Sequence, residues 1–503
     1  MSVYDSYKPL RNYLRKVPLW ESLKIIHAYI QFLQFQQPIP NNIEVNEQVL
    51  SAKLSAKGIY AWELDILARE IVLNADLNGK LTLRQWKNMA NAINKIKDLE
   101  NDISAHSERL APNILLELYR IQHRQFPWQW PANSNALLRY FRIFGTPSFV
   151  PILQTNLGLS VTEIYVLGLA FTGHFMDNAE CVLPLNVAPL GISPETLECF
   201  VQHFSTDFPS LKKQITDTQS YDDNYAYTYN PFRFYSFIKE EIGGRPILVC
   251  PFPPYLFGSF TDGVYYKICK SDGFSKAFGD SFQQYVGDAA NAANSQKQLS
   301  ILPEAEYNVG NNRKDSVDWI ISDATAEIFV ECKAKRLLLD AKVSLESAAL
   351  DKDLDMMAGF IVQNYRTLMD ALQGHYPHWK PSNKNIYLVV VTLEEWYIWG
   401  EIARLLNEKV LFKMEKLGID AAIIEKHPYI VCSMADLELA MLVMDKNGIE
   451  KVMSQKTTGE QQGWHMLSFL MNVFKNELKE IRESKKPLFP EDYKKIHPAL
   501  AHA

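Results

Sequence analysis

Over about the first 200 residues, apolar positions return every three or four places, as in "WESLKIIHAYIQFLQF" and "IYAWELDILAREIVLNADL". That is the period of helices with one buried face. The turn formers "QPIPNN" at 37–42 and "NGK" at 78–80 punctuate them. Ser160 and Ser193 stand as N-caps before "VTEIYVLGLAF" and "PETLECFVQHF", with Pro194 at the first helical position. Residues 208–232 are polar and aromatic without a period, and the domain junction is expected there. Beyond it, short β-rich runs ("RPILVCPFPPYLF", "GVYYKIC") precede a helix, "FSKAFGDSFQQYVGDAANAA", with Phe274, Phe278, Phe282 and Val286 on one stripe. A strand "ILPEAEYNV", a hairpin at 315–336, a helix over 346–373, the strand "IYLVVVTL", a helix over 394–417 and "YIVCS" then "MADLELAMLVM" follow. Strands interleaved with helices predict an α/β domain with a mixed sheet. The pattern predicts a helical domain over 1–215, an α/β domain over 230–455, and an amphipathic helix and tail over 456–503. Trp464, Leu467, Met471, Phe474 and Leu478 are expected on the buried face of that last helix.

Composition narrows the classes. A chain of 503 residues with 47% hydrophobic and 22% charged residues is that of a folded globular protein. Its net charge of −6 offers a polyanion no bulk attraction, so a nucleic-acid partner needs a local basic patch. The six cysteines form no C-x-x-C pair and no zinc-ligand spacing, and are expected as reduced thiols. No run reaches about 18 apolar residues, and the first 20 lack a signal-peptide core; a cytoplasmic protein without a membrane partner is expected. "GSFTDGVYY" has Val264 where a phosphate-binding loop needs Lys, and neither H-E-x-x-H nor G-x-S-x-G occurs.

The chemistry concentrates in "DSVDWIISDATAEIFVECKAKR", residues 315–336. With "DWIIS" and "EIFVECKAK" as paired strands, Ser322 faces Glu327, Ile320 faces Phe329 and Asp318 faces Glu331. Alternation puts Glu331 and Lys333 on one face. Like charges opposite one another on a ladder cost roughly 0.2–1 kcal/mol, and more without water. A divalent cation offsets that cost, and two carboxylates suit Mg²⁺ or Mn²⁺. Such an ion polarises a phosphoryl oxygen, and Lys333 stabilises developing charge, which is the chemistry of phosphodiester hydrolysis. The plain alternative is a salt bridge on the wet face of an edge strand.

Asp318, twelve residues, then Glu331-x-Lys333 on a hydrophobic strand resembles the PD-(D/E)XK nuclease superfamily, as does the order of flanking elements over about residues 270–435. The resemblance implies a restriction-endonuclease-like domain, its mixed central sheet flanked by helices, following the helical domain. It implies a Mg²⁺- or Mn²⁺-dependent endonuclease with Asp318, Glu331 and the Cys332 backbone carbonyl as metal ligands, Lys333 as the catalytic lysine and Gln363 beside it. DNA is favoured over RNA as substrate because most of the superfamily acts on DNA, and prokaryotic defence against foreign DNA is the implied setting. The alternative is a nuclease-like scaffold that binds without cutting. Many members carry a Glu in the first helix, where this chain has Gln283; Asp280 and Glu304 are the candidate replacements. Arg313, Lys314, Lys335 and Arg336 are the candidate phosphate contacts, and the helical domain is the expected surface for a partner protein or a second copy.

Overall fold

A computed structural model describes residues 3–46, 58–107, 114–129, 134–344 and 347–496. The end of the expected carboxyl-terminal tail, from residue 497, lies outside the described residues. The chain forms two compact units. Unit 1 takes Met1–Asn133, Pro147–Phe274 and Lys494–His502; unit 2 takes Ser134–Thr146 and Ser275–Tyr493. The division therefore falls at 274/275 and not within 208–232, and residues 134–146 leave the amino-terminal unit for the other one.

Unit 1 is mainly helical, with long helices such as Leu19–Phe35, Ala61–Asn74, Trp86–His106 and Val161–Asp177. The side chains of Ser160 and Ser193 cap their helices as expected. The unit also holds a four-stranded sheet in the order Glu180–Val182, Arg245–Val249, Phe237–Ile242, Ser205–Thr206. "RPILV" is thus a strand of unit 1, whereas Pro253–Phe260 and Val264–Ile268 are helices, not strands. The aromatic segment sits within this unit because its backbone satisfies a buried cation. Arg69, fully buried, donates to the carbonyls of Tyr225 (2.8 Å) and Thr228 (2.9 Å), while Tyr225 and Phe232 pack in the core. No single helix among the described residues is long and apolar enough to cross a membrane.

Unit 2 is built on a five-stranded mixed sheet. Its elements are α1 (Ser134–Phe144), α2 (Phe274–Ala293), β1 (Ser300–Pro303), a hairpin of β2 (Glu306–Val309) and β3 (Asn312–Asp315), β4 (Trp319–Ser322) and β5 (Ala326–Lys333). There follow α3 (Ser347–Leu372), β6 (Asn385–Thr392), α4 (Gly400–Lys416), β7 (Tyr429–Ser433), α5 (Met434–Asn447), α6 (Ile449–Thr457), α7 (Met466–Val473) and α8 (Lys475–Ser484). The strand order is β7-β6-β5-β4-β1. β5, β6 and β7 run parallel, while β4 pairs antiparallel with both β5 and β1. β5 is central, and its first six residues are buried, as a strand covered on both faces requires. Helix α3 packs on β5, β6 and α4, and α5 packs on β6 and β7.

"ILPEAEYNV" divides into β1 and β2, separated by Glu304 and Ala305. The expected long carboxyl-terminal helix breaks at Phe474, whose backbone leaves the helical region (φ −115°, ψ 39°). The break turns the buried face: Met466, Phe469, Leu470, Phe474 and Leu478 are buried, whereas Trp464 and Met471 are exposed and Leu467 is only partly covered. Helix α1 is held in unit 2 by Arg139, which makes a two-pronged contact with Glu438 of α5 at 2.8 Å on both arms, and Tyr285 of α2 donates to the same carboxylate at 2.8 Å.

Candidate functional site

The hairpin register is the expected one: Ser322 pairs with Glu327, Ile320 with Phe329 and Trp319 with Val330. Asp318 is the residue just before this ladder begins, so its expected pairing with Glu331 lies beyond the paired positions. Asp323 makes the turn, its Oδ1 accepting from the backbone of Thr325 (2.7 Å) and Ala326 (2.9 Å), and its Oδ2 from the Ile449 N–H of α6 (2.7 Å).

Asp318 is fixed from both sides. Before it, the Val317 N–H donates to the hydroxyl of buried Tyr376 (3.1 Å); after it, the Trp319 indole donates to the Gln283 carbonyl of α2 (2.8 Å). The Asp318 carboxylate accepts the Cys332 N–H at 2.5 Å, tying it to the end of β5. Lys333 donates to Glu331 Oε1 at 2.6 Å, so these two share a face of β5, and its ammonium lies 4.8 Å from the centre of the Phe360 ring of α3.

These residues are not on a wet edge. Glu331 is only 5% exposed and sits on the central strand, which removes the edge-strand salt bridge as an account of it. Glu327, on the same face at the other end of β5, shows how a buried carboxylate is ordinarily provided for: it accepts from the Trp379 indole (2.6 Å) and the Ser382 hydroxyl (3.3 Å). The Asp318 carboxyl is pushed up to about 7 by burial and then by the Glu331 charge, with Glu304 adding to the rise; the Cys332 N–H and Lys333 oppose it. Burial and then the Asp318 and Glu331 carboxylates push the Cys332 thiol up as well, so it stays protonated.

Of the two candidate replacements for a first-helix acid, Glu304 is the one that acts on Asp318. It accepts a hydrogen bond from Gln283 Nε2 at 3.0 Å, whereas Asp280 pairs with Lys276; both carboxylates are exposed. Gln363 lies one turn beyond Phe360 on α3; its side chain is exposed and takes no part in the hydrogen bonds around Asp318, Glu331 and Lys333 described above.

The candidate phosphate contacts fare unevenly. Arg313 and Lys314 lie on β3 and not in a loop, because Gly310, at φ 61°, closes a tight turn that lets "NRKD" pair with β2. Arg313 is exposed and paired with Glu306; Lys314 pairs with Asp370 at 2.7 Å, which also accepts from Tyr307. Arg336 corrects an expectation: it is buried and bound to Glu394 at 2.9 Å, so it does not present its charge to a phosphate. Lys335 is partly exposed.

Sequence reasoning missed a second cluster in the same unit. Glu395, just past β6, Asp436 in the first turn of α5 and His465, the residue before α7, converge with ligand-capable atoms all within 4.8 Å of one another. They are 41 and 29 residues apart in sequence, so no spacing rule could have united them. Burial and the Glu395 charge push the Asp436 carboxyl up to about 7; burial pulls His465 down, but the facing carboxylates carry it up to about 9.

No protein-family model, curated protein or solved structure matches this chain.

Proposed function

We propose that unit 2 is a metal-dependent phosphodiesterase of the PD-(D/E)XK kind, cutting nucleic acid, with DNA the favoured substrate. The observation that carries this reading is a pair of carboxylates, Asp318, tied to the Cys332 N–H just before the hairpin ladder begins, and Glu331, bound to the Lys333 ammonium on a buried central strand. The element sequence α2-β1-β4-β5-α3-β6, around a mixed sheet with β5 and β6 parallel, supports the restriction-endonuclease-like form of the reading.

The residues fit a hard divalent cation. Burial and the Glu331 charge make ionised Asp318 costly, as expected of oxygen donors whose counter-charge is more than one lysine supplies. Asp318 and Glu331, with the Cys332 carbonyl, would hold Mg²⁺ or Mn²⁺, and the ion would polarise a phosphoryl oxygen and acidify water. Lys333, set between Glu331 and the Phe360 ring, is positioned to neutralise charge that develops on the phosphoryl oxygens. The Asp318 carboxylate is oriented by the Cys332 N–H and by the anchors of Val317 and Trp319 on either side.

The rival, a binding scaffold with the same shape, draws on Arg336 being buried and Lys314 being engaged by Asp370. The experiment incubates the purified chain with linear, circular and single-stranded DNA and with RNA, in Mn²⁺, Mg²⁺ or EDTA. Cleavage is expected with either metal and not with EDTA, and Lys333→Ala should lower it by about a hundredfold or more while circular dichroism is unchanged. Binding without cleavage, indifferent to metal and to Lys333→Ala, would establish the scaffold instead.

A further inference from the structure

The Glu395–Asp436–His465 cluster lies outside the proposed cutting centre and uses none of its residues. His465 Nε2 is 3.0 Å from Glu395 Oε2 and 3.3 Å from Asp436 Oδ2. That nitrogen is buried, yet it has no hydrogen-bond partner in alignment. A donor serving one acceptor points at it; here one nitrogen stands within reach of two carboxylate oxygens, and all three ligand-capable atoms lie within 4.8 Å of one another. Ligands about 2.0–2.1 Å from a zinc ion stand ~2.9–3.4 Å apart at tetrahedral or octahedral angles, which is the spacing of the nitrogen from each oxygen.

The surroundings hold the set in place. Glu395 Oε1 accepts the Tyr397 N–H at 2.8 Å, and Asp436 Oδ2 accepts the Leu467 N–H at 3.2 Å. Asp436 sits in the turn capped by Ser433. Lys456, the buried cation of α6, spends its ammonium on the carbonyls of Gln461 and Gln462, both at 3.1 Å. Asp436 is 6% exposed, whereas Glu395 and His465 keep 24% and 17% of their side-chain surface, which leaves an approach for a fourth ligand.

We infer that His465, Glu395 and Asp436 bind a divalent transition-metal ion of the zinc class, clasping the loop after β6, the start of α5 and the start of α7. An imidazole with two carboxylates favours zinc over magnesium, so this site and the Asp318–Glu331 site differ in the ion they select.

The test strips the full chain with EDTA, removes the chelator and titrates Zn²⁺ against a chromophoric competitor. The wild type and Asp318→Asn should each take up one tightly held equivalent that a large excess of Mg²⁺ does not displace. His465→Gln should weaken that uptake by about a hundredfold or more, and Glu395→Gln by about tenfold or more. Zn²⁺ should raise the melting temperature of the wild type and not that of His465→Gln. Failure of the wild type to bind, or undiminished binding by a folded His465→Gln, would overturn the inference; should that variant not fold, Glu395→Gln decides in the same way. Loss of the tight equivalent in Asp318→Asn alone would also overturn it, by placing the ion at the other site. Failure of DNA cleavage leaves this outcome unaffected, because uptake is read without substrate.

Discussion

At the scale of the residue, Asp318 combines a structural cost with its proposed use. Its folded-state value of about 7 lies above the ordinary 3.8, so between those values the folded chain holds a proton that the unfolded chain has released. Stability contributed by that proton is fully present below about pH 4 and is lost as pH rises through 7. In EDTA at about pH 8, Asp318→Asn should therefore be more stable than the wild type, by on the order of 1 kcal/mol, because the amide still accepts from the Cys332 N–H without facing Glu331 as a charge. The advantage should vanish near pH 4, as followed by urea denaturation at both values, while cleavage in Mn²⁺ is abolished. Equal stability of the two proteins at pH 8 would mean that neither burial nor the Glu331 charge disfavours ionised Asp318.

At the scale of the element, the hairpin depends on how closely α2 approaches it. A methyl group placed on Gly287 would stand 2.1 Å from Trp319 Cζ2, and Trp319 is the residue after Asp318. Gly287→Ala should cost about 1–3 kcal/mol by overpacking. It should also depress cleavage with little change in nucleic-acid affinity, because displacing the indole moves the carboxylate's anchor; denaturation and single-turnover rates measure the two effects. The β4–β5 register was legible in the sequence because period-two alternation and a short turn leave few alternatives for Ser322, Glu327 and Phe329. The stripe of Phe278, Phe282 and Val286 was legible for the same kind of reason. Other features had no local signature. "GVYYKIC" carries aromatic and β-branched residues yet forms a helix, its propensity overruled by packing around Val264 and Ile268. Arg336 reads as a free cation at a strand end until Glu394, fifty-eight residues later, is brought to it. The convergence of Glu395, Asp436 and His465 is likewise set by the sheet and its helices, not by spacing.

At the scale of the whole molecule, the decisive contact is a buried one between distant parts of the sequence. Arg139 of α1 and Glu438 of α5 are 7% and 2% exposed in their side chains, so removing one partner strands the other's charge in the interior. Arg139→Met should cost about 3–5 kcal/mol, with part of it recovered by Arg139→Met combined with Glu438→Leu, as read from chemical denaturation. Residues 275–493 expressed alone should be poorly soluble for the same reason, and joining residues 134–146 to them should restore a folded unit. The interruption of unit 2 by Pro147–Phe274 also sets an order of events on the ribosome. Helix α1 emerges early and waits through the synthesis of a large part of the other unit before Glu438 exists to receive it. A nascent chain halted between Lys333 and α5 thus carries Asp318, Glu331 and Lys333 without the scaffold that closes around them, so any cutting capacity is confined to nearly finished molecules.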